Sequence, residues 1–217
     1  MKFKKYQCLE NDFIIVENEL LNVYELCDQH KGIGADGLIV ILKDNILFFN
    51  KDGTKANFCG NGIRCAAKYI VDNINENQTK LKFEGKFYNI TNKNNFYKLK
   101  FNISEYKKIK NFYLVNSGVD HLVVFSKPSI KKANKLFKKY NVNITFYHNK
   151  KATTFEKGVG FTRGCGSGLI SIMSILYKEK KITSKTIYSH NSYSNLEVKH
   201  NSIYLESEVF YVYKGEI

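Results

Sequence analysis

One phrase occurs twice in this chain and limits what the chain can fold into. Phe58-Cys59-Gly60-Asn61-Gly62 leads into Ile63-Arg-Cys-Ala-Ala-Lys-Tyr-Ile-Val, and Gly164-Cys165-Gly166-Ser167-Gly168 leads into Leu169-Ile-Ser-Ile-Met-Ser-Ile-Leu-Tyr. Each is a Cys-Gly-x-Gly turn ahead of a run that is apolar on most sides, the pattern of a buried helix. Strand-rich sequence surrounds both copies, which lie 106 residues apart. An internal duplication accounts for this: two similar halves, each a sheet wrapped around one central helix. Either glycine cluster alone reads as an ordinary tight turn. It is the repetition, with Cys at the same place, that carries the inference.

Short strands are expected at 12–17, 38–42, 46–49, 96–101, 121–125, 194–206 and 209–213, where β-branched and aromatic residues concentrate. Amphipathic surface helices are expected over Lys131–Tyr140 and around Leu20–Lys31, and loops over Asn73–Lys80 and Ser104–Asn111. Gly32-Ile-Gly-Ala-Asp-Gly37 is read as a plain glycine turn. A dinucleotide fingerprint would need another spacing and a following helix.

Composition excludes several function classes. No apolar run approaches the ~18–20 residues of a membrane span, and the basic N-terminus lacks a signal-peptide core, so a cytoplasmic protein without membrane association is expected. The formal charge is +14, from 34 Lys+Arg against 20 Asp+Glu, yet Arg64 and Arg163 are the only arginines. Arginine makes the bidentate phosphate and base contacts, and the lysines are scattered, so nucleic acid is not the expected partner. Five irregularly spaced cysteines do not form a secreted disulfide scaffold. No C-x-x-C is present, and Cys59 and Cys65, six apart on a helix, would point roughly 240° apart, so no metal site is expected.

A cysteine at a helix N-terminus meets free backbone N–H groups and the positive end of the helix dipole, both of which stabilise a thiolate. Two such sites, one per half, suit inversion of a carbon centre: one sulfur removes a proton from one face and the other returns one to the opposite face. The competing readings are two buried core thiols, or a Cys-His hydrolase, which leaves the duplication unexplained. Cys27 and Cys65 read as buried hydrophobes. His121, alone before an apolar strand, reads more readily as structural than as catalytic.

The residues resemble the diaminopimelate epimerase family nearly end to end. The matching segments are Leu9-Glu-Asn11-Asp-Phe13, Gly32–Gly37, Phe49-Asn50-Lys-Asp-Gly-Thr through Cys59-Gly-Asn-Gly-Ile-Arg-Cys65, Asn116-Ser-Gly-Val-Asp-His121, Asn141-Val-Asn143, Phe155-Glu-Lys-Gly-Val-Gly160, Cys165-Gly-Ser-Gly168 and Tyr213-Lys-Gly-Glu-Ile217. The resemblance implies an α+β fold of two pseudo-symmetric halves, each a mostly antiparallel β-barrel-like sheet around a central helix. The halves would span 1–112, with 208–217 returning to it, and 113–207. It implies a cofactor-independent epimerase that uses no metal and converts LL- to meso-diaminopimelate, with Cys59 and Cys165 as acid and base and with His121 and Glu156 supporting them. Asn11, Asn50, Asn141, Glu156 and Lys157 match positions that hold the substrate, and Gly60, Asn61, Gly166 and Ser167 match the cradle for its reacting carboxylate. A homodimer is compatible with the resemblance. Lys157 stands where the family usually has Arg, leaving a racemase for another amino acid, or a catalytically silent binding relative, as the alternatives.

Overall fold

A computed structural model of the chain describes residues 1–17, 22–43, 45–56, 58–74 and 78–217. The chain divides into two compact units, Met1–Leu99 with Ser207–Ile217, and Lys100–Glu206.

The first unit opens on an antiparallel pair, β1 (Lys2–Cys8) and β2 (Asn11–Glu17). A crossover through the short helix α1 (Val23–Cys27) leads to β3 (Gly37–Ile41), which runs parallel to β2, and β4 (Ile46–Asn50) returns antiparallel to β3. Next come the buried helix α2 (Gly60–Ile74) and the strands β5 (Gln78–Phe83), β6 (Lys86–Lys93) and β7 (Phe96–Asn102). The second unit repeats that order. It has the antiparallel pair β9 (Phe112–Asn116) and β10 (Asp120–Val124), the crossover helix α3 (Ile130–Tyr140), and β11 (Asn143–His148) parallel to β10. The antiparallel β12 (Lys151–Glu156), the buried helix α4 (Gly166–Lys180), and β14 (Ser184–Tyr188), β15 (Tyr193–Lys199) and β16 (Ser202–Glu216) follow. Two strands lie outside the repeat: β8 (Tyr106–Ile109), which pairs with β9, and β13 (Gly160–Thr162), which pairs with β12. The fold is therefore α+β with a repeated topology.

Strand alternation explains which side chains reach the central helices. Leu122, Val124, Ile144 and Phe146 pack with Ala133 and Leu136 of α3 on one face of β10 and β11. With a period of two, His121 and Thr145 fall on the other face, toward α4. The first unit does the same, with Ile14, Val16, Leu38 and Val40 packed with Val23 and Cys27 of α1. In α4 every residue from Gly168 to Leu176 is buried. The second glycine of each Cys-Gly-x-Gly turn lies where its helix packs against a neighbour. A Cβ at Gly62 would meet the Phe48 ring at 2.7 Å, and one at Gly168 would meet the Thr154 and Thr145 hydroxyls at 2.9 and 3.0 Å.

Several sequence expectations need correction. The unit boundary falls at 99/100 rather than 112/113, because β8 pairs with β9 (Tyr106 with Val115, Ile109 with Phe112) and so belongs to the second unit. The same hairpin replaces the loop expected over Ser104–Asn111. The helix expected around Leu20–Lys31 contracts to Val23–Cys27, with positions 20 and 21 outside the described residues. Asp28 ends it, its carboxylate accepting from the backbone N–H groups of His30 and Lys31, both at 2.8 Å. The two strands expected at 194–206 and 209–213 are instead β15 and one long strand, β16, which continues past Ser207 because Val209–Glu216 pairs along β1.

Candidate active site

Each unit carries one half-site, built at the N-terminus of its central helix. In the first, Cys59 precedes α2; its carbonyl accepts the first helical bond from Ile63 N–H at 2.9 Å, and its Sγ accepts from Gly62 N–H at 3.2 Å. Burial pushes the thiol up to about 11, opposed by the Gly62 and Asn61 N–H groups and by the charge of Arg64. Asn61 is buried, and its amide reaches Asn11 Oδ1 at 3.4 Å. Asn11 in turn donates to Asp36 at 2.9 Å, and Asp36 is fixed by bonds exchanged with Asp12 across β2 and the start of β3. Asn50 ends β4 opposite Gly37, with its amide on the Thr54 hydroxyl at 2.9 Å. Cys59, Gly60, Asn61 and Asn11 thus come together, with Asn50 on the strand beside the Asp36–Gly37 segment.

In the second half-site Cys165 caps α4 and accepts the Leu169 N–H at 3.1 Å. Its Sγ lies 3.4 Å from Ser167 Oγ, which lies 2.9 Å from His121 Nε2. The other ring nitrogen shares a 2.8 Å hydrogen bond with Thr145, which meets Thr154 at 3.1 Å. Burial holds His121 down at about 4, so the ring is neutral at ordinary pH. Burial also drives the Cys165 thiol far above its ordinary value, and here the Glu156 carboxylate adds to the rise through its charge and by accepting from the thiol. Glu156 is steadied by the Thr162 hydroxyl at 2.7 Å, and Lys157 by its backbone N–H on Asn143 Oδ1 at 2.9 Å.

The structure therefore gathers Cys165, Gly166, Ser167, His121 and Glu156. His121 meets Ser167, and Glu156 meets Cys165. Asn141 is placed differently from the expectation: it is the C-cap of α3, left-handed at φ 52, with its N–H on the Phe137 carbonyl. Asn143, two residues on, is the one that touches the Glu156–Lys157 segment. Sequence reasoning passed over Asn143, Arg64, Thr145 and Thr162. The period-two pattern of β10 and β11 could have indicated Thr145. Among the described residues no group of three or more His, Cys, Asp or Glu could hold a metal ion, and no helix is long and apolar enough to cross a membrane.

Comparison with known proteins bears on the family. The family model described as diaminopimelate epimerase matches residues 3–109. A diaminopimelate epimerase of Campylobacter jejuni is 31% identical over 99% of this chain and 98% of its own length. One of Helicobacter pylori is 31% identical over 98% and 94%, and one of Methanopyrus kandleri 30% identical over 82% and 75%. Among solved structures, a phenazine biosynthesis protein of the PhzF family from Enterococcus faecalis has a TM-score of 0.75, at 14% identity over 100% of this chain and 99% of that one. A probable proline racemase from Agrobacterium radiobacter has a TM-score of 0.69, at 9% identity over 100% and 92%. At such identities the solved structures speak to the fold alone. The Campylobacter and Helicobacter relatives match nearly the whole chain and make the assignment an isomerase: the chain belongs to the diaminopimelate epimerase family.

Proposed function

We propose that this protein interconverts LL- and meso-diaminopimelate by a two-base mechanism without pyridoxal phosphate. One sulfur, as thiolate, removes the α-proton; the carbanion that results is held by the N–H groups at the helix ends; the other sulfur, as thiol, returns a proton to the opposite face. Protonation states are exchanged by the end of each turnover, so the reverse reaction uses the same groups in opposite roles.

The observation that carries this reading is the repeated placement of Cys59 and Cys165, each at the start of a buried helix and each giving its carbonyl to the first helical bond. The surroundings differ in a useful way. Both thiols are raised by burial, but Arg64 opposes the rise at Cys59 while Glu156 adds to it at Cys165, so Cys59 is assigned as the sulfur that ionises more readily. The carbanion is an intermediate stabilised electrostatically, so exclusion of water when substrate binds is part of the proposal.

Lys157 bears on substrate choice. An ammonium grips a distal carboxylate as a point charge, without the two parallel bonds a guanidinium makes. We expect diaminopimelate to be accepted with a raised KM, and Lys157→Arg to lower KM with little effect on kcat. The check is chromatographic resolution of stereoisomers after incubating reduced protein with LL-diaminopimelate and, separately, with single-centre amino acids such as proline, alanine and glutamate. Meso-diaminopimelate formed alone supports the assignment; inversion of one of the others in its place would reassign the substrate.

A further inference from the structure

We infer that Arg64 is a positioning residue of the first half-site: its buried guanidinium orients the Asn61 amide and supplies the fixed counter-charge for the Cys59 thiolate. The inference deepens the two-base proposal and takes its catalytic meaning from it.

Arg64 is fully buried on α2, the largest of the fully buried side chains. Its Nη2 donates to Asn61 Oδ1 at 2.6 Å and its Nε donates to Cys8 Sγ at 3.2 Å. Among the described residues Nη1 is buried without a hydrogen-bond partner. A guanidinium stays charged even when buried, and a buried cation is costly unless an anion comes near it. The ionisable groups around it are sulfurs. Cys8 comes from β1, Cys59 precedes α2 and Cys65 lies on α2, and each of these is felt by its neighbours; Asp12 of β2 acts on Cys65. The other cation on this helix, Lys68, is already held by Asp72 at 3.1 Å and Asn95 at 3.0 Å. Among the described residues Arg64 is thus the cation of the cluster, seated on Cys8 and on the Asn61 side chain two residues past Cys59, and a thiolate formed at Cys59 in turnover is the anion that would relieve it.

The fork matters as well as the charge. By taking Asn61 Oδ1, Arg64 leaves the amide nitrogen turned toward Asn11 and so fixes which end of Asn61 is a donor. A lysine ammonium, compact and on a flexible stem, has no planar fork to span Asn61 and Cys8 together. Of 34 basic residues only two are arginines, and this is one of them. The second half-site fixes the matching side chain by another route. Ser167, like Asn61, stands two residues past its cysteine, and it is held by His121 at 2.9 Å. Ile170 occupies the place that Arg64 has in the first copy. One half therefore carries a permanent positive charge on Asn61 and Cys8 and the other a neutral ring on Ser167, which makes Cys59 the sulfur that ionises more readily.

The test is a brief pulse of iodoacetamide on reduced protein at a pH below the Cys59 midpoint, with Cys59 and Cys165 quantified separately by mass spectrometry. In that range alkylation follows the thiolate fraction. Arg64→Gln should slow Cys59 relative to Cys165 in the same tube by about tenfold, the effect of one pKa unit. Arg64→Lys should recover much of that rate while kcat stays depressed, because Asn61 is no longer gripped. General loosening of the structure would speed both sulfurs, so it cannot imitate this result. An unchanged or increased Cys59 to Cys165 ratio in Arg64→Gln, or a lysine variant as slow as the glutamine one, would overturn the inference. Should Arg64→Gln not fold, native protein labelled with ¹⁵N-arginine decides. The Arg64 Nε signal should move with pH as Cys59 ionises and stay still in Cys59→Ser; a signal flat in both overturns the inference. Failure to turn over diaminopimelate would remove the substrate assignment without altering either readout.

Discussion

His121 is neutral because it is buried, and this ties the second half-site to the pH dependence of stability. Its two ring nitrogens are occupied by Thr145 and Ser167, at 2.8 and 2.9 Å, and burial holds its pKa at about 4. An unfolded histidine titrates near 6.5, so between about 6.5 and 4 the unfolded chain binds a proton that the native ring refuses. Stability should therefore be lost as pH falls through that window, by up to about 3 kcal/mol for this one group. Thermal melts at stepped pH values check it: native protein should show the slope, and His121→Asn should be less stable at pH 7 but lack the His121 share of the slope. Equal slopes in the two proteins would mean that the ring is not buried neutral. Sequence alone favoured a structural role for this residue over a catalytic one, and its contacts combine the two ideas. It is a core side chain whose hydrogen bond sets Ser167, beside the sulfur. Which partner each nitrogen finds depends on strands brought together by the fold, so no local pattern around residue 121 reveals it.

At the scale of elements, the two central helices were the most legible, because a run that is apolar all round has only the interior to go to. The short crossover helix and several hairpins were less so. β5 and β6 are rich in Lys and Asn, and their strand character comes from pairing across a tight turn more than from apolar alternation. Asn149 and Lys150, both at positive φ, make the turn between β11 and β12. The end of α3 shows the same limit. The sequence points to Asn141 and passes over Asn143, and the left-handed cap at Asn141 is what separates them. Glycine adopts that conformation freely, so Asn141→Gly should melt within about 0.5 kcal/mol of the native protein and keep full activity. Asn143→Ala removes the acceptor for Lys157 N–H and should lower kcat/KM by about tenfold or more, a loss of ~1–2 kcal/mol. Steady-state kinetics on the two variants separates the assignments, and loss of activity in Asn141→Gly would restore Asn141 to the site.

For the whole molecule, the duplicated topology is the dominant fact: pair, crossover helix, pair, cysteine, buried helix, three strands, twice over. It gives two cysteine-led helix starts of one design whose surroundings differ, with Arg64 on Asn61 and Cys8 in one and Glu156 beside Cys165 in the other. The +14 charge, which at first invites a nucleic-acid partner, lies mostly in scattered lysines, apart from Arg64 and Lys157 in the half-sites. The unit boundaries were harder to read than the repeat, since β16 begins in one unit and ends in the other. The proposal stands on Cys59 and Cys165 acting as a pair on one carbon. Its most direct measurement is solvent deuterium entering the α-position of LL-diaminopimelate in D₂O, followed by NMR with reduced native protein, Cys59→Ser and Cys165→Ser. Native protein should release meso product carrying deuterium at the inverted carbon, and net inversion should fall by about a thousandfold or more in each variant, ~4 kcal/mol of lost transition-state stabilisation. Sustained inversion in either serine variant would show that one sulfur suffices and would contradict the two-base proposal.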